Sequence, residues 1–240
     1  MTISIDARFN GPDGSGNGGY CAGRFAQAFA AETTRAVTVR LMAPPPLETA
    51  LQLRRDAAQG QIWHGETQVA SVAFADLSLT LPTPCTVAQA CEASQGYVGF
   101  QAHPFPRCYV CGPDRAQGDG LRIFAGAVAG REMVAAPWQP YPDLAESSDR
   151  LAIEQIWAAL DCPSYFGATL GEPGNPGLLG ALTVQIHQRS LSVSERYLIC
   201  AWPLGKERRK RFAGVALFSE AGVCLARGHS TWILLSPQAE

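Results

Sequence analysis

One carboxylate stands alone on an apolar segment that is expected to be helical. Asp161 follows Ile156, Trp157 and Leu160, and a lone carboxylate among such residues is costly unless it is paired or takes part in chemistry. Partial burial brings the pKa of such a group towards neutrality, which suits a general base. The alternative is structural, because Pro163 follows closely and Asp161 could close a break in the helix. We favour the general base.

A pair of cysteines forms a second candidate site. Cys108 and Cys111 have the spacing of a CxxC turn, and Cys91 and His103 are the nearest further ligands for a zinc ion. The spacing of that set is irregular and there is no second CxxC. We therefore favour buried thiols or a tight turn, with a metal site as the main alternative and a redox pair as the least favoured one.

The elements that must position these residues follow two similar series. In the first half, a strand is expected over Ile3–Phe9 and a Gly-rich turn leads into a helix over Tyr20–Glu32, with Asn17 or Ser15 as the N-cap. A strand over Ala36–Leu53 is broken by three prolines, and a half-buried strand follows at Gln61–Ala75.

The second half has the same order. Short strands are expected at Leu121–Phe124 and Met133–Ala136, and a helix with an internal Pro163 at Ile153–Leu170. A long strand is expected after that helix at Leu179–Trp202, with an interruption near Arg189–Ser190. The strands Arg211–Phe218 and Cys224–Leu235 are expected to follow it as a hairpin.

These two series indicate an internal duplication in an α+β fold. Val39–Leu41 corresponds to Val184–Ile186, and in both places an irregular stretch and an acidic residue precede the next strand. We expect a first repeat at 1–100 and a second at 106–240. The proline-rich segment at about 80–105 is expected to be a linker.

A helix with a Gly-rich start, wrapped by antiparallel strands, resembles the hotdog fold of acyl-CoA thioesterases and dehydratases. Two tandem copies resemble the double hotdog of the type II acyl-CoA thioesterases. The likeness extends over most of the chain outside the linker and concerns order and spacing. The segments that carry it are Gly16–Tyr20, Trp157–Asp161 and Ala181–His187.

The resemblance implies hydrolysis of an acyl thioester, with no cofactor. Asn17, Gly18 and Gly19 would bind the thioester carbonyl at a helix N-terminus, where backbone N–H groups and the helix dipole stabilise an oxyanion. The alternative for these glycines is a tight turn between strand and helix. Asp161 matches the aspartate that orients or activates water in the similar enzymes.

The sequence departs from the family's pattern at two further positions. Val184 stands where the family has a hydroxyl, with Thr183 one residue earlier on the opposite face of the strand, and Ser230 stands where it has an amide. We take Asp161, Thr183 and Ser230 as the catalytic candidates. The incomplete set leaves a non-catalytic acyl or CoA-ester binding protein as one alternative. A hydratase or dehydratase that pairs His187 or His229 with Asp161 is another.

A basic run, Lys206–Arg211, lies between two expected strands. It could protect a sheet edge from pairing. It could also bind the phosphates of coenzyme A, for which Arg208, Arg209, Lys210 and Arg211 are the candidates.

The composition narrows the remaining possibilities. The chain has 240 residues, 47% of them hydrophobic and 17% charged, with a formal net charge of -2. This excludes disorder of the highly charged kind and disfavours a nucleic-acid partner. No apolar stretch is long enough for a membrane helix, and the first residues do not resemble a secretory signal. We expect a cytoplasmic protein with reduced cysteines, and an exposed sheet edge would favour a homodimer.

Overall fold

The structure of the chain is a computed structural model that describes residues 1–172 and 175–235. In this part of the chain the helices are α1 (Gly18–Ala30), α2 (Val87–Gln95) and α3 (Ile153–Ala168), none of them both long and apolar enough to cross a membrane. The strands are β1 (Thr2–Ile3), β2 (Ala36–Leu41), β3 (Leu51–Arg55), β4 (Gln59–His64), β5 (Thr67–Ala75), β6 (Gly126–Ala127), β7 (Val134–Trp138), β8 (Ala145–Ser147), β9 (Arg150–Leu151), β10 (Gly177–Ile186), β11 (Tyr197–Glu207), β12 (Lys210–Ser219) and β13 (Cys224–Leu234).

Eleven of the strands form one antiparallel sheet in the order β1-β3-β4-β5-β2-β10-β13-β12-β11-β7-β6. The order is mirrored about the β2–β10 pair, where Val37 lies opposite Val184. In this sheet β1 precedes α1, whereas β6 and β7 precede α3, so the second half contributes six strands and the first half five. In each half four strands follow the helix in the same spatial order. The sheet ends in two-residue strands at β1 and β6, so the described residues offer no long free edge for a partner chain. The homodimer stays a prediction.

Most of the expected elements are present at the expected places. Asn17 is the N-cap of α1, since its side chain accepts a hydrogen bond from the Tyr20 N–H. Pro44–Pro46 separate β2 from β3, and α3 continues past Pro163 to Ala168. The broad strand expected at Gln61–Ala75 is a hairpin, β4 and β5, that turns at Gly65 with a positive φ of 57°.

Three expectations need correction. The segment 80–105 is not a plain linker, because it contains α2, which begins with a capping box between Thr86 and Gln89. Ala90 and Ala93 of α2 pack on the outer face of the second half of the sheet. Leu121–Phe124 is not a strand, and Ile3–Phe9 is mostly outside β1. The Leu121 N–H donates to the Tyr109 carbonyl instead, which ties this segment to the CxxC loop.

The helices α1 and α3 pack directly against each other inside the curved sheet, where glycines allow a close approach. A Cβ atom at Gly23 would lie 2.7 Å from the Glu154 Cα and 2.8 Å from the Trp157 Cβ. The Arg24 guanidinium contacts the buried Glu154 carboxylate at 3.0 Å, which joins the same two helices by an ion pair. The small residues of α1 therefore set the distance at which α3 lies.

We expect Gly23→Ala to destabilise the protein. The methyl group would overlap the backbone of α3, and the overpacking should lower the free energy of unfolding by about 2 kcal/mol. The measurement is chemical denaturation of the two variants Gly23→Ala and Gly14→Ala. Gly14 has no atom within 4 Å of its would-be Cβ, so its variant should match the wild type. Equal stability of both variants would contradict the close helix contact.

Candidate active site

A narrow cleft with an internal volume of about 70 Å³ opens where the start of α1 meets the middle of α3. The loop around His103 and Cys108 and the first residues of β10 form its other walls. Most of its surface is apolar, and the aromatic side chains that line it are Phe105, Tyr165, Phe166 and Trp232. This shape and lining suit an apolar chain that carries one polar group.

Asp161 is the carboxylate at the base of this cleft, and its side chain joins the two helices. The Oδ2 atom accepts hydrogen bonds from the Gly19 N–H and the Asn17 Nδ2, both at 2.9 Å. The Oδ1 atom is buried and has no hydrogen-bond partner in the described residues. Asp161 does not close a helix break, because α3 continues for seven residues beyond it.

Burial raises the pKa of Asp161 to about 7. Removal from water disfavours the charged carboxylate and is the main cause of the shift. The hydrogen bonds from Gly19 and Asn17 oppose it, since they stabilise the charged form.

The start of α1 offers one free backbone donor. The Tyr20 N–H donates to the Asn17 Oδ1 and the Gly19 N–H donates to Asp161. Within residues 1–172 and 175–235 the Gly18 N–H has no acceptor. Gly18 lines the cleft, where its N–H and the helix dipole favour negative charge. Asn17, Gly18 and Gly19 therefore lie beside Asp161, and the Gly19 N–H already donates to that carboxylate.

Three cysteines and a histidine form a cluster along the same cleft. The Sγ atoms of Cys108, Cys111 and Cys162 lie within 4.8 Å of one another, and all three side chains are buried. The His103 Nε2 is 3.3 Å from the Cys111 Sγ. Hydrogen bonds from the thiols of Cys111 and Cys162 lower the pKa of Cys108.

Cys162 was not expected in this cluster, and Cys91, which was expected as a further ligand, is not part of it. Cys91 lines a different cavity, near Arg122 and Phe124. The only sequence signal for Cys162 was its place next to Asp161 on α3.

Thr183 and Ser230 do not join Asp161 in the cleft. The Thr183 hydroxyl is on the face of β10 opposite the core residues Leu182 and Val184, and its Oγ1 lies 2.7 Å from the Thr38 Oγ1. Ser230 is on the inner face of β13 but outside the cleft lining, and its buried hydroxyl has no partner in the described residues. Successive side chains of a strand point to opposite faces of the sheet, which explains why Thr183 lies outside the cleft.

The basic run forms the tip of the β11–β12 hairpin. Lys206 and Arg211 bind the Glu172 carboxylate at 2.8 and 2.7 Å. Arg208, Arg209 and Lys210 are exposed. Glu172 lines a wider groove that continues from the cleft past Tyr165 and Phe166. The tip therefore lies at the far end of a path that begins at Asp161.

The two histidines proposed for a hydratase lie elsewhere. His187 is exposed beyond the end of β10. His229 stacks on Phe212, with 6.0 Å between the ring centres, and lies opposite Thr183 in the sheet. His103 is the histidine that shares the cleft with Asp161.

Comparisons with known proteins show what the fold resembles. No family model matches the sequence, and no curated protein matches it. Several solved structures are similar over nearly the whole chain. A TesB protein of Mycobacterium avium subsp. paratuberculosis matches with a TM-score of 0.65 and 10% identity, covering 98% of this chain and 92% of that one. The acyl-CoA thioesterase II TesB2 of Mycobacterium marinum matches with a TM-score of 0.62 and 11% identity, covering 99% and 93%.

The third structure is a protein of unknown function with a hotdog fold from Alicyclobacillus acidocaldarius. It has a TM-score of 0.59 and 12% identity, and the match covers 98% of this chain and 93% of that one. The chain therefore has the hotdog fold found in type II acyl-CoA thioesterases, as its sequence suggested. At these identities the similarity defines the fold, and the activity must be argued from the site.

We expect Asn17→Ala to be more destabilising than the loss of a helix cap alone. The variant removes the cap of α1, worth about 1 kcal/mol, and a hydrogen bond to a buried carboxylate, worth about 1–3 kcal/mol. Thr86→Ala is the control, because it removes the exposed cap of α2 only. Denaturant unfolding should show the larger loss for Asn17→Ala, and equal losses would contradict a structural role for the Asn17–Asp161 bond.

Proposed function

We propose that the chain is a hydrolase that cleaves acyl-CoA or a similar acyl thioester. The observation that carries the proposal is that two polar groups at the apolar cleft have no hydrogen-bond partner in the described residues. One is the buried Asp161 Oδ1, an acceptor, and the other is the Gly18 N–H, a donor. A reaction that needs a base for water and a donor for a developing oxyanion uses both.

The steps follow from these two groups. A water bound to the Asp161 Oδ1 attacks the thioester carbonyl carbon, and its proton passes to the carboxylate. The carbonyl oxygen becomes an oxyanion that accepts a hydrogen bond from the Gly18 N–H at the positive end of α1. The C–S bond then breaks, and the thiolate takes the proton from Asp161 as it leaves. The hydrogen bonds from Asn17 and Gly19 hold the carboxylate in place throughout.

The mirrored sheet supports a duplicated hotdog as the basis of this site. We infer two repeats, at 1–100 and 106–240, with α2 in the connecting segment at about 80–105. Because the α1 start comes from the first repeat and Asp161 from the second, neither repeat holds both groups. A single copy would lack either the oxyanion donor or the base.

The groove from Tyr165 and Phe166 to Glu172 supports coenzyme A as the leaving group. The acyl chain would lie along the aromatic wall of the cleft, and the phosphates would reach the exposed arginines of the β11–β12 tip. Guanidinium groups bind phosphate well in this way.

We expect the wild type to release free thiol from at least one member of a panel of acyl-CoA thioesters. Asp161→Asn should lower kcat/KM by about 100-fold or more, because the amide cannot accept the proton of the water. Glu154→Gln is the control, since Glu154 is a buried carboxyl of the same helix paired with Arg24, and it should keep activity close to the wild type.

Three results would contradict this assignment. A loss of only a few-fold in Asp161→Asn would remove Asp161 as the base. Saturable binding of acyl-CoA with no turnover by the wild type would favour the non-catalytic binding protein. Hydration of an enoyl-CoA would favour the hydratase.

We expect the double variant Arg208→Glu/Arg209→Glu to raise KM for acyl-CoA about tenfold or more, because the phosphates meet negative charge. The same variant should leave KM unchanged for an acyl N-acetylcysteamine thioester, which has no phosphate. The control is Arg40→Glu/Arg54→Glu, which makes the same change of charge as the first variant but on β2 and β3. Equal effects on both substrates would contradict a phosphate-binding tip.

A further inference from the structure

The cysteine cluster has the spacing of a metal site. In a tetrahedral zinc–thiolate centre with Zn–S bonds of about 2.3 Å, neighbouring sulfurs are about 3.8 Å apart. The Cys108 and Cys162 Sγ atoms are 3.7 Å apart, and the Cys111 Sγ lies within 4.8 Å of both. A metal ion would therefore need only small side-chain movements to contact all three sulfurs.

Two N–H groups are placed to support thiolate ligands. The Asn17 Nδ2 lies 3.8 Å from both the Cys108 Sγ and the Cys162 Sγ. The His103 Nδ1 accepts a hydrogen bond from the Phe105 N–H, so the proton of a neutral imidazole is on Nε2, which faces the Cys111 Sγ. Donors of this kind around a thiolate set stabilise its negative charge and orient the ligands.

The chain positions of the three cysteines also suit a metal. Cys108 and Cys111 come from one turn, in which the Gly112 N–H donates to the Cys108 carbonyl. A Cβ atom at Gly112 would lie 2.6 Å from the Cys108 N, so the turn requires glycine there. Cys162 comes from α3, which is distant in sequence. A metal would fasten this loop to the helix that carries Asp161.

We propose that Cys108, Cys111 and Cys162 bind a thiophilic divalent cation, Zn²⁺, with His103 and Asn17 as hydrogen-bond donors to the sulfurs. All three cysteines line the cleft, so a water molecule from the cleft would complete the tetrahedral coordination of the ion. Soft thiolate sulfur selects Zn²⁺ over Mg²⁺ or Ca²⁺. This revises the expectation of no metal ligand and replaces Cys91 by Cys162. The proposal does not rest on the proposed hydrolysis.

The test is the metal content of the full-length protein without an affinity tag, purified under reducing conditions with no chelator and no added metal. We expect about one zinc ion per chain by inductively coupled plasma mass spectrometry. Cys111→Ser and Cys162→Ser should lose it, because each removes one of three ligands. Cys91→Ser is the matched control, as a cysteine outside the cluster, and should keep the full content.

Two measurements on the wild type avoid the risk that a cysteine variant fails to fold. Cobalt added to the chelated protein should give thiolate charge-transfer bands and the visible bands of a tetrahedral site. Removal of zinc by a chelator should lower Tm, and zinc should restore it. His103→Ala should weaken zinc binding about 10- to 100-fold but keep the cobalt–thiolate bands.

Several outcomes would overturn the proposal. The first is a purified wild type that holds less than about one tenth of a zinc ion per chain and gives no cobalt–thiolate bands. The second is an equal loss of metal in Cys91→Ser and Cys162→Ser. The third is the disappearance of the cobalt–thiolate bands in His103→Ala. Free-thiol counting under the same reducing conditions distinguishes an empty thiol cluster from a disulfide.

Discussion

The contact between the start of α1 and the middle of α3 is the constraint on which the rest of this structure depends. The Asp161 carboxylate accepts hydrogen bonds from the Gly19 N–H and the Asn17 side chain across the helix interface. Glycine at positions 19 and 23 is required for that approach, since a Cβ at Gly19 would lie 2.8 Å from the Trp157 carbonyl. One buried carboxylate therefore joins the two helices, and its Oδ1 atom accepts no hydrogen bond from the described residues.

The mirrored sheet explains why the two helices can meet in this way. Pairing of β2 with β10 continues one antiparallel sheet across both halves, which curves around the helix pair. The halves are unequal in detail. Among the described residues, a helix covers the outer face of the second half alone, and α3 but not α1 carries a carboxylate with a cysteine next to it. The mirrored sheet supplies a scaffold, while the cleft lies where its two halves differ.

The carboxylate of Asp161 and the cysteine cluster lie close together in the cleft. Asp161 and Cys162 are neighbours on α3, and Asn17 donates to the carboxylate and lies within 3.8 Å of two sulfurs. Any change in the cysteine cluster would therefore reach the carboxylate through this amide. The position of the CxxC loop thus influences both the wall of the cleft and the group at its base.

The sequence by itself determined the local elements: the capped start of α1, the strands broken by Pro44–Pro46, and the hairpins of the second half. It also indicated Asp161, because a lone carboxylate on an apolar helix is costly. It did not predict α2, whose capping box follows a proline-rich stretch. It also did not decide which face of β10 carries Thr183, because that depends on the register of the strand. Only the tertiary structure brought Cys162 to the CxxC loop and left the Gly18 N–H free while Gly19 is occupied. Such contacts join residues far apart in the chain, and no local periodicity encodes them.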